Sequence, residues 1–404
     1  MIKKDHLLTM LPLFLVIAID SMGLGILFPT LSSMIISPQA HFLAVGANTT
    51  YREFIFGLVI SIFMLAWFFG AGILGDVSDM IGRKKALAIC LIGSTIGYFV
   101  SAIGIVWHNI SLLITGRVVA GFTAGSQAIA QAAIVDLSSD QHRARNIGYM
   151  LLVSSIGFVL GPFLGGVLSD NELANWFNFA TPLFFASIFS LLNVGLLLIL
   201  FHETCTFTRA IKLRLNIAIT IFMDAFKQTK IRTLSIILFI FIAGWSAYFG
   251  FIGQFLIRQF DYSSLEVALF MTVMAIGFAV GFAVLVDFLA KRYALKKCIF
   301  TALLTAGLLT IFTILNTIQP LSWIAASIIG MCVATAYSMI ITVFSKQVDE
   351  TEQGWMMGIT NAIMALAFGI TTLGSGFAAS FGAAVPLIIM TIGMLVASTL
   401  VYLL

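Results

Sequence analysis

About a dozen apolar runs, each some 20 residues or longer and divided by short polar breaks, dominate the chain. About 20 apolar residues in helix span the hydrocarbon of a bilayer. The runs fall at approximately 7–36, 54–76, 86–107, 111–135, 147–168, 176–201, 233–257, 264–288, 295–316, 321–344, 355–379 and 382–403. Only 9% of the 404 residues are charged and 60% are hydrophobic, giving a mean hydropathy of +1.09, far from the soluble range. A membrane β-barrel would alternate apolar and polar residues and give weaker runs. The expected fold class is therefore an all-α polytopic membrane protein with 12 transmembrane helices.

Lysine and arginine set the orientation. Lys3, Lys4, Arg83, Lys84, Lys85, Arg143, Arg145, the cluster 209–232, Lys291, Arg292, Lys296, Lys297 and Lys346 fall on one side. Arg52 and Arg258 fall on the other, and Arg117 lies in or near a span. Both termini are thus expected in the cytoplasm. Lys3-Lys4 before an apolar run looks like a secretory leader, yet the run passes Asp20 to Ile36 without a small-residue cleavage site. It reads as a first span.

The longest break, 202–232, is basic, with Ile211, Leu215, Ile219, Phe222 and Phe226 among its charges. It predicts a cytoplasmic amphipathic linker between an N-terminal six-helix bundle, 1–201, and a C-terminal one, 233–404. An internal echo supports the division. Asp287-Phe288-Leu289-Ala290-Lys291-Arg292 follows the eighth span as Asp79-Met80-Ile81-Gly82-Arg83-Lys84 follows the second.

Several functions are excluded by what the chain carries. The net charge of +4 comes from scattered loop residues, so no nucleic-acid partner is expected. Cys90, Cys205, Cys298 and Cys332 lack paired spacing, and the five histidines lie near span ends or loops. Neither a disulfide framework, a metal site nor a cofactor is indicated. No nucleophile–base pair lies at depth, which argues against an enzyme. No phosphate-binding glycine loop argues for ATP.

The polar stretch from Gly75 to Leu87 holds Asp79, Gly82, Arg83 and Lys84 between two spans. It reads as a short solvated turn, with Gly82 supplying positive φ. Its G-x-x-x-D-x-x-G-R-K form resembles the loop between helices 2 and 3 of the major facilitator superfamily. Met80 stands where that family has a basic residue. The resemblance implies two pseudo-symmetric six-helix bundles. It also implies that Asp136 joins Asp79 and Arg83 in a charge cluster gating one conformational state.

Asp20, near the middle of the first span, is the principal chemical candidate. An ionised aspartate at that depth costs about 2.5–3.5 kcal/mol on insertion scales, so such residues face interior polar sites and mark function. Arg117 opens Arg117-Val118-Val119-Ala120-Gly121, similar to the superfamily's helix-4 motif; it reads as the cation of this proton-coupling site or as an arginine snorkelling to the external interface. Thr123, Gln127 and Gln131 recur every four residues, which puts them on one helix face, as cavity wall or as interhelical glue.

Gly157, Gly161 and Gly165 form a smooth stripe for close helix approach, with Pro162 and Gly166 completing G-x-x-x-G-P-x-x-G-G. That pattern resembles the antiporter signature of the drug:proton branch of the superfamily. The loop 345–354, Ser-Lys-Gln-Val-Asp-Glu-Thr-Glu-Gln-Gly, and Arg143-Ala-Arg-Asn-Ile-Gly148 are similar to loops of tetracycline/proton antiporters. Those pumps carry acidic residues in their third and ninth spans, whereas 86–107 and 298–316 hold none, which puts tetracycline itself in doubt. The resemblance implies a multi-pass bacterial inner-membrane protein that acts as a monomer in the lipid bilayer. It would exchange protons for a small-molecule, amphipathic substrate, with a proton-coupled importer as the alternative on the same fold. Candidate substrate-binding residues are Asp20, Gln127, Gln131, Trp245, Tyr248, Gln254, Tyr337 and Asn361, since aromatic rings with few polar groups suit amphipathic ligands.

Overall fold

The computed structural model describes residues 2–36, 41–44, 46–138, 140–204, 217–349 and 353–404. Twelve helices within them are long and apolar enough to cross a membrane: α1 (Leu8–Ile36), α2 (Thr49–Ile81), α3 (Arg83–Val106), α4 (Ile110–Asp136), α5 (Gly148–Val167), α6 (Thr181–Leu200), α7 (Thr229–Phe260), α8 (Ser264–Ala290), α9 (Leu295–Leu315), α10 (Gln319–Ser345), α11 (Trp355–Ala379) and α12 (Val385–Leu403). They match the twelve apolar runs closely. Residues 37–40 and 45 between the first two spans, 205–216 of the linker, and 350–352 of the 345–354 loop lie outside the described residues.

The differences fall where polar residues remain helical. The Gly75–Leu87 stretch is not an open loop: α2 runs to Ile81, α3 starts at Arg83, and Gly82 alone separates them. Hydropathy marks where the chain leaves hydrocarbon, whereas a helix continues as long as its backbone stays paired. Likewise α7 begins at Thr229, inside the stretch read as linker, after a short amphipathic helix at Ile217–Lys227.

Helix–helix pairing repeats after six helices. In the first half α1 packs on α5 and α6, and α3 on α4 and α6; in the second α7 packs on α11 and α12, and α9 on α10 and α12. Close crossings depend on glycine in both halves. A Cβ on Gly97 of α3 would stand 2.5 Å from the Ala120 amide of α4. One on Gly281 of α8 would stand 2.8 Å from the Met331 carbonyl of α10. The outward faces are apolar, as the bilayer requires: Ile89, Ile92, Ile96 and Phe99 form an exposed stripe on α3.

Packing groups the chain into two compact units. One contains Met1–Leu27 and Leu65–Ala218, the other Phe28–Met64 and Ile219–Leu404. The ends of α1 and α2 thus belong with the second unit, and the boundary within the linker falls between Ala218 and Ile219. A long helix can pack its two ends on different partners, and an apolar run carries no record of this.

Candidate functional site

The first unit builds its polar centre around Asp20, which is 5% exposed. The cause lies in α4, whose regular winding breaks: one segment ends at Thr123 and the next starts at Ser126. Ala124 and Gly125 form the break, where α2 crosses. A Cβ on Gly125 would stand 2.9 Å from the Gly70 backbone. The second segment therefore starts in mid-span with the positive end of a helix dipole, and its Gln127 N–H donates to the Ala124 carbonyl only at 3.3 Å. Asp20 lies at this end, accepting from Ser126 Oγ at 2.5 Å and from the Gln127 backbone N–H. Among the described residues the hydrogen-bond partners of Asp20 are uncharged.

Glycines of α5 hold the helix that carries Asp20. A Cβ on Gly157 would stand 2.7 Å from the Ala18 carbonyl oxygen, one on Gly161 2.7 Å from that of Met22. One on Gly165 would overlap the Ile26 carbonyl oxygen. Pro162 fits against Gly25, where an added Cβ would lie 2.6 Å from the proline ring. Ser21 and Ser154 share a 2.8 Å hydrogen bond across the same seam. The G-x-x-x-G-P-x-x-G-G stretch thus sets the depth and rotation of Asp20; Gly166 is buried beside it.

Arg117 is 3% exposed and lies inside the unit. Tyr98 of α3, fully buried, lies within electrostatic range of both Arg117 and Asp20. Its hydroxyl abuts α1 at Gly23, where a Cβ would overlap it. Tyr98 escaped the reading of the sequence. A mid-span tyrosine, whose hydroxyl needs a buried partner, was the available signal.

The polar face expected along α4 divides at the break. Thr123 shares a 3.1 Å hydrogen bond with Ser94 of α3 and bonds back to Val119 O at 2.9 Å, so it serves helix packing. Gln127 and Gln131 are half-buried on the second segment, where the Gln127 backbone N–H reaches Asp20.

At the basic end of this unit, Arg83 gathers the charges. Its guanidinium lies 2.7 Å from Asp79, 3.5 Å from Asp136 and 2.8 Å from Ser78 Oγ. Gly82 has φ 96°, a conformation other residues rarely adopt. Glu203, just after α6, accepts from the Arg83 and Lys84 amides at 2.8 and 3.1 Å, capping α3. Lys84 Nζ donates to the Leu198 carbonyl at 2.9 Å. Glu203 was missed by the motif, although it is a lone acid entering a basic stretch. Gly75 lies within α2 with nothing near the place of a Cβ, so packing does not require glycine there.

The second unit contains an aromatic chain. Trp245 stacks on Tyr248 and Phe278 at 6.0 and 5.9 Å, and Phe282 meets Tyr337 edge-on at 6.5 Å. The Tyr248 hydroxyl is fully buried, and among the described residues it has no hydrogen-bond partner. Asn361 is half-buried on α11. Gln254 lies apart from this chain, beside Glu53 at the far end of α7.

The family model described as Major Facilitator Superfamily matches residues 13–223 and 234–404. The chain belongs to the Major Facilitator Superfamily. It is a multi-pass transporter of that superfamily, not an enzyme. Among similar curated proteins, the class C tetracycline resistance protein of Escherichia coli is 26% identical over 87% of this chain and 84% of its own length. The quinolone resistance protein NorA of Staphylococcus aureus is 29% identical over 36% of each chain. Solved structures share the fold. The xylose transporter XylE from E. coli gives a TM-score of 0.77 at 12% identity, covering 99% of this chain and 97% of that one. The human organic anion transporter MFSD10 gives 0.71 at 19% identity, covering 98% and 99%.

Proposed function

We propose that the chain is a proton-coupled antiporter that exports small amphipathic organic molecules from the bacterial cytoplasm by alternating access. Its termini and the Gly82 turn face the cytoplasm, in the inner membrane. The reading rests chiefly on Asp20: a buried carboxylate that is met by a hydroxyl and a helix N-terminus instead of a fixed cation. Ionised, it accepts from Ser126 and Gln127; protonated, it can donate while the hydroxyl turns to accept. Such a site accommodates both states, which proton exchange requires. Tyr98 and Arg117 tune it, and the α5 glycines position it.

Coupling follows if substrate binding and protonation of Asp20 favour different states, each ligand shifting the equilibrium by its differential affinity. The Arg83 cluster with Asp79, Asp136 and the Glu203 cap would stabilise one of those states at the cytoplasmic end. Trp245, Tyr248 and Tyr337 provide flat apolar faces, and the Tyr248 hydroxyl provides one free polar contact, for rings of an amphipathic substrate. The drug-resistance names of the relatives agree with export. Tetracycline itself is not proposed, because α3 and α9 contain no acidic residue.

The test uses inside-out vesicles with an acidified lumen and a panel of amphipathic drugs. Compounds that release lumenal protons only with intact Asp20 are expected. Uphill transport that persists in Asp20→Asn would refute the proton role, and substrate-driven proton movement in the opposite sense would point to import.

A further inference from the structure

A second buried carboxylate lies in the other unit. Glu53, the fifth residue of α2, is 0% exposed. It forms an ion pair with Arg258, in the last turn of α7. The Arg258 charge complements the C-terminal end of its helix dipole. The Gln254 side chain, 1% exposed, lies beside the same carboxylate. A carboxylate taken out of water and held by one guanidinium and one neutral amide is costly to maintain. Its position suggests what it does.

Below the pair, α2 lies in a groove formed by α7 and α11. A Cβ on Gly57 would stand 2.7 Å from the Thr372 carbonyl, and one on Gly376 2.8 Å from the Glu53 carbonyl. Ser61 Oγ donates to Gly369 O at 2.7 Å, and Phe56 meets Phe251 edge-on at 5.1 Å. Close to the pair, Arg52 is committed elsewhere, donating to the carbonyls of Ile35, Ala44 and Ala47 at 3.0, 3.4 and 3.2 Å. Residues Trp355–Ala379 of α11 and 28–36 of α1 hold no titratable side chain. On the α7–α8 side Asp261 is exposed, and Glu266 is engaged by Ser263. Arg258 is therefore the one cation that faces Glu53 among the described residues.

We propose that Glu53 and Arg258 form a proton-operated latch within the second unit, where the N-terminal part of α2 meets the C-terminal end of α7. The ion pair fastens α2 to α7 and α11. When it parts, Glu53 takes one proton from the medium on that side and returns it to the same side on reclosing. Protons handled at the latch are not translocated. They set how readily that end opens, separately from the exchange at Asp20. The inference uses the alternating-access reading and is independent of the role of Asp20.

The test places spin labels at the exposed positions Tyr51 and Gln259, in full-length protein without native cysteines, in lipid nanodiscs. Distances are measured by double electron–electron resonance between about pH 8 and about pH 5, spanning the range in which carboxylates with shifted affinities titrate. A short-distance population that gives way to a longer one on acidification is expected. Glu53→Gln should raise the long population several-fold at both pH values, since it removes the buried member of a pair whose guanidinium is about a third exposed. The exchange Glu53→Arg/Arg258→Glu should restore the short one. Asp20→Asn is measured alongside. Loss of the pH response in Asp20→Asn with retention in Glu53→Gln would overturn the latch and assign the response to Asp20. A native protein whose distances ignore pH would overturn it without any variant.

Discussion

Two turns, the one after α2 and the one after α8, read alike in the sequence and are built differently. Each holds an acid and a base four residues apart: Asp79 with Arg83 at 2.7 Å, and Asp287 with Lys291 at 2.7 Å. The second pair stands alone, with side chains 68% and 72% exposed. Such i, i+4 pairs contribute about 0.3–0.5 kcal/mol in water. The first is the base of a cluster. Arg83 is 17% exposed and also reaches Asp136 from α4 and Ser78, while Glu203 from beyond α6 caps the helix that Arg83 begins. A repeated motif thus shows common architecture, while the residues brought to it from other helices determine whether it does work.

The largest effect should come from Arg83→Ala, which leaves Asp79 and Asp136 facing each other without their cation. A change of about 1.4 kcal/mol between conformations shifts their ratio ten-fold, so export should fall to roughly a tenth or less. Export assays on vesicles of equal expression check this, and near-native export would put the two turns on a level. Gly82→Ala comes next. The left-handed conformation costs about 1–2 kcal/mol for a residue with a Cβ, and that Cβ would also meet the Glu203 carboxylate. A clear drop in thermal unfolding temperature in detergent is expected; no drop would mean the turn relaxes without cost.

Glu203→Ala should cost about 1 kcal/mol through loss of the cap. The sharper readout is faster hydrogen exchange at the Arg83 and Lys84 amides, and unchanged protection would remove the cap from the account. The smallest effect belongs to Lys291→Ala, at most about 0.5 kcal/mol and without a marked change in export. A loss of export comparable with that of Arg83→Ala would show the second turn to be a gate in its own right.

Much of this protein was legible without coordinates because membrane insertion is a strong constraint. Backbone polar groups in hydrocarbon must pair within their own helix, so long apolar runs can become only helices. The twelve spans, the break at 202–232, the repeat of the 79–84 pattern and the isolation of Asp20 at depth all follow from local composition. The glycine stripe of α5 was also visible as a close-approach surface. Its target, the α1 segment bearing Asp20, was not.

What the tertiary structure decided concerns which groups meet. A helix break at Ala124–Gly125 gives Asp20 the start of a helix segment, and Tyr98 lies within electrostatic range of both Asp20 and Arg117. Glu203 reaches α3 from about 120 residues away in sequence. Gln254 faces Glu53 instead of the aromatic chain of Trp245 and Tyr248. Hydropathy and spacing report each residue's own helix and face; a partner on another helix depends on crossing angles and rotations set by many small packing terms. The sequence by itself therefore determined that this chain crosses the membrane twelve times in two related halves. Only the folded arrangement determined which carboxylate is met by neutral donors and which by an arginine, because that choice lies in contacts between helices.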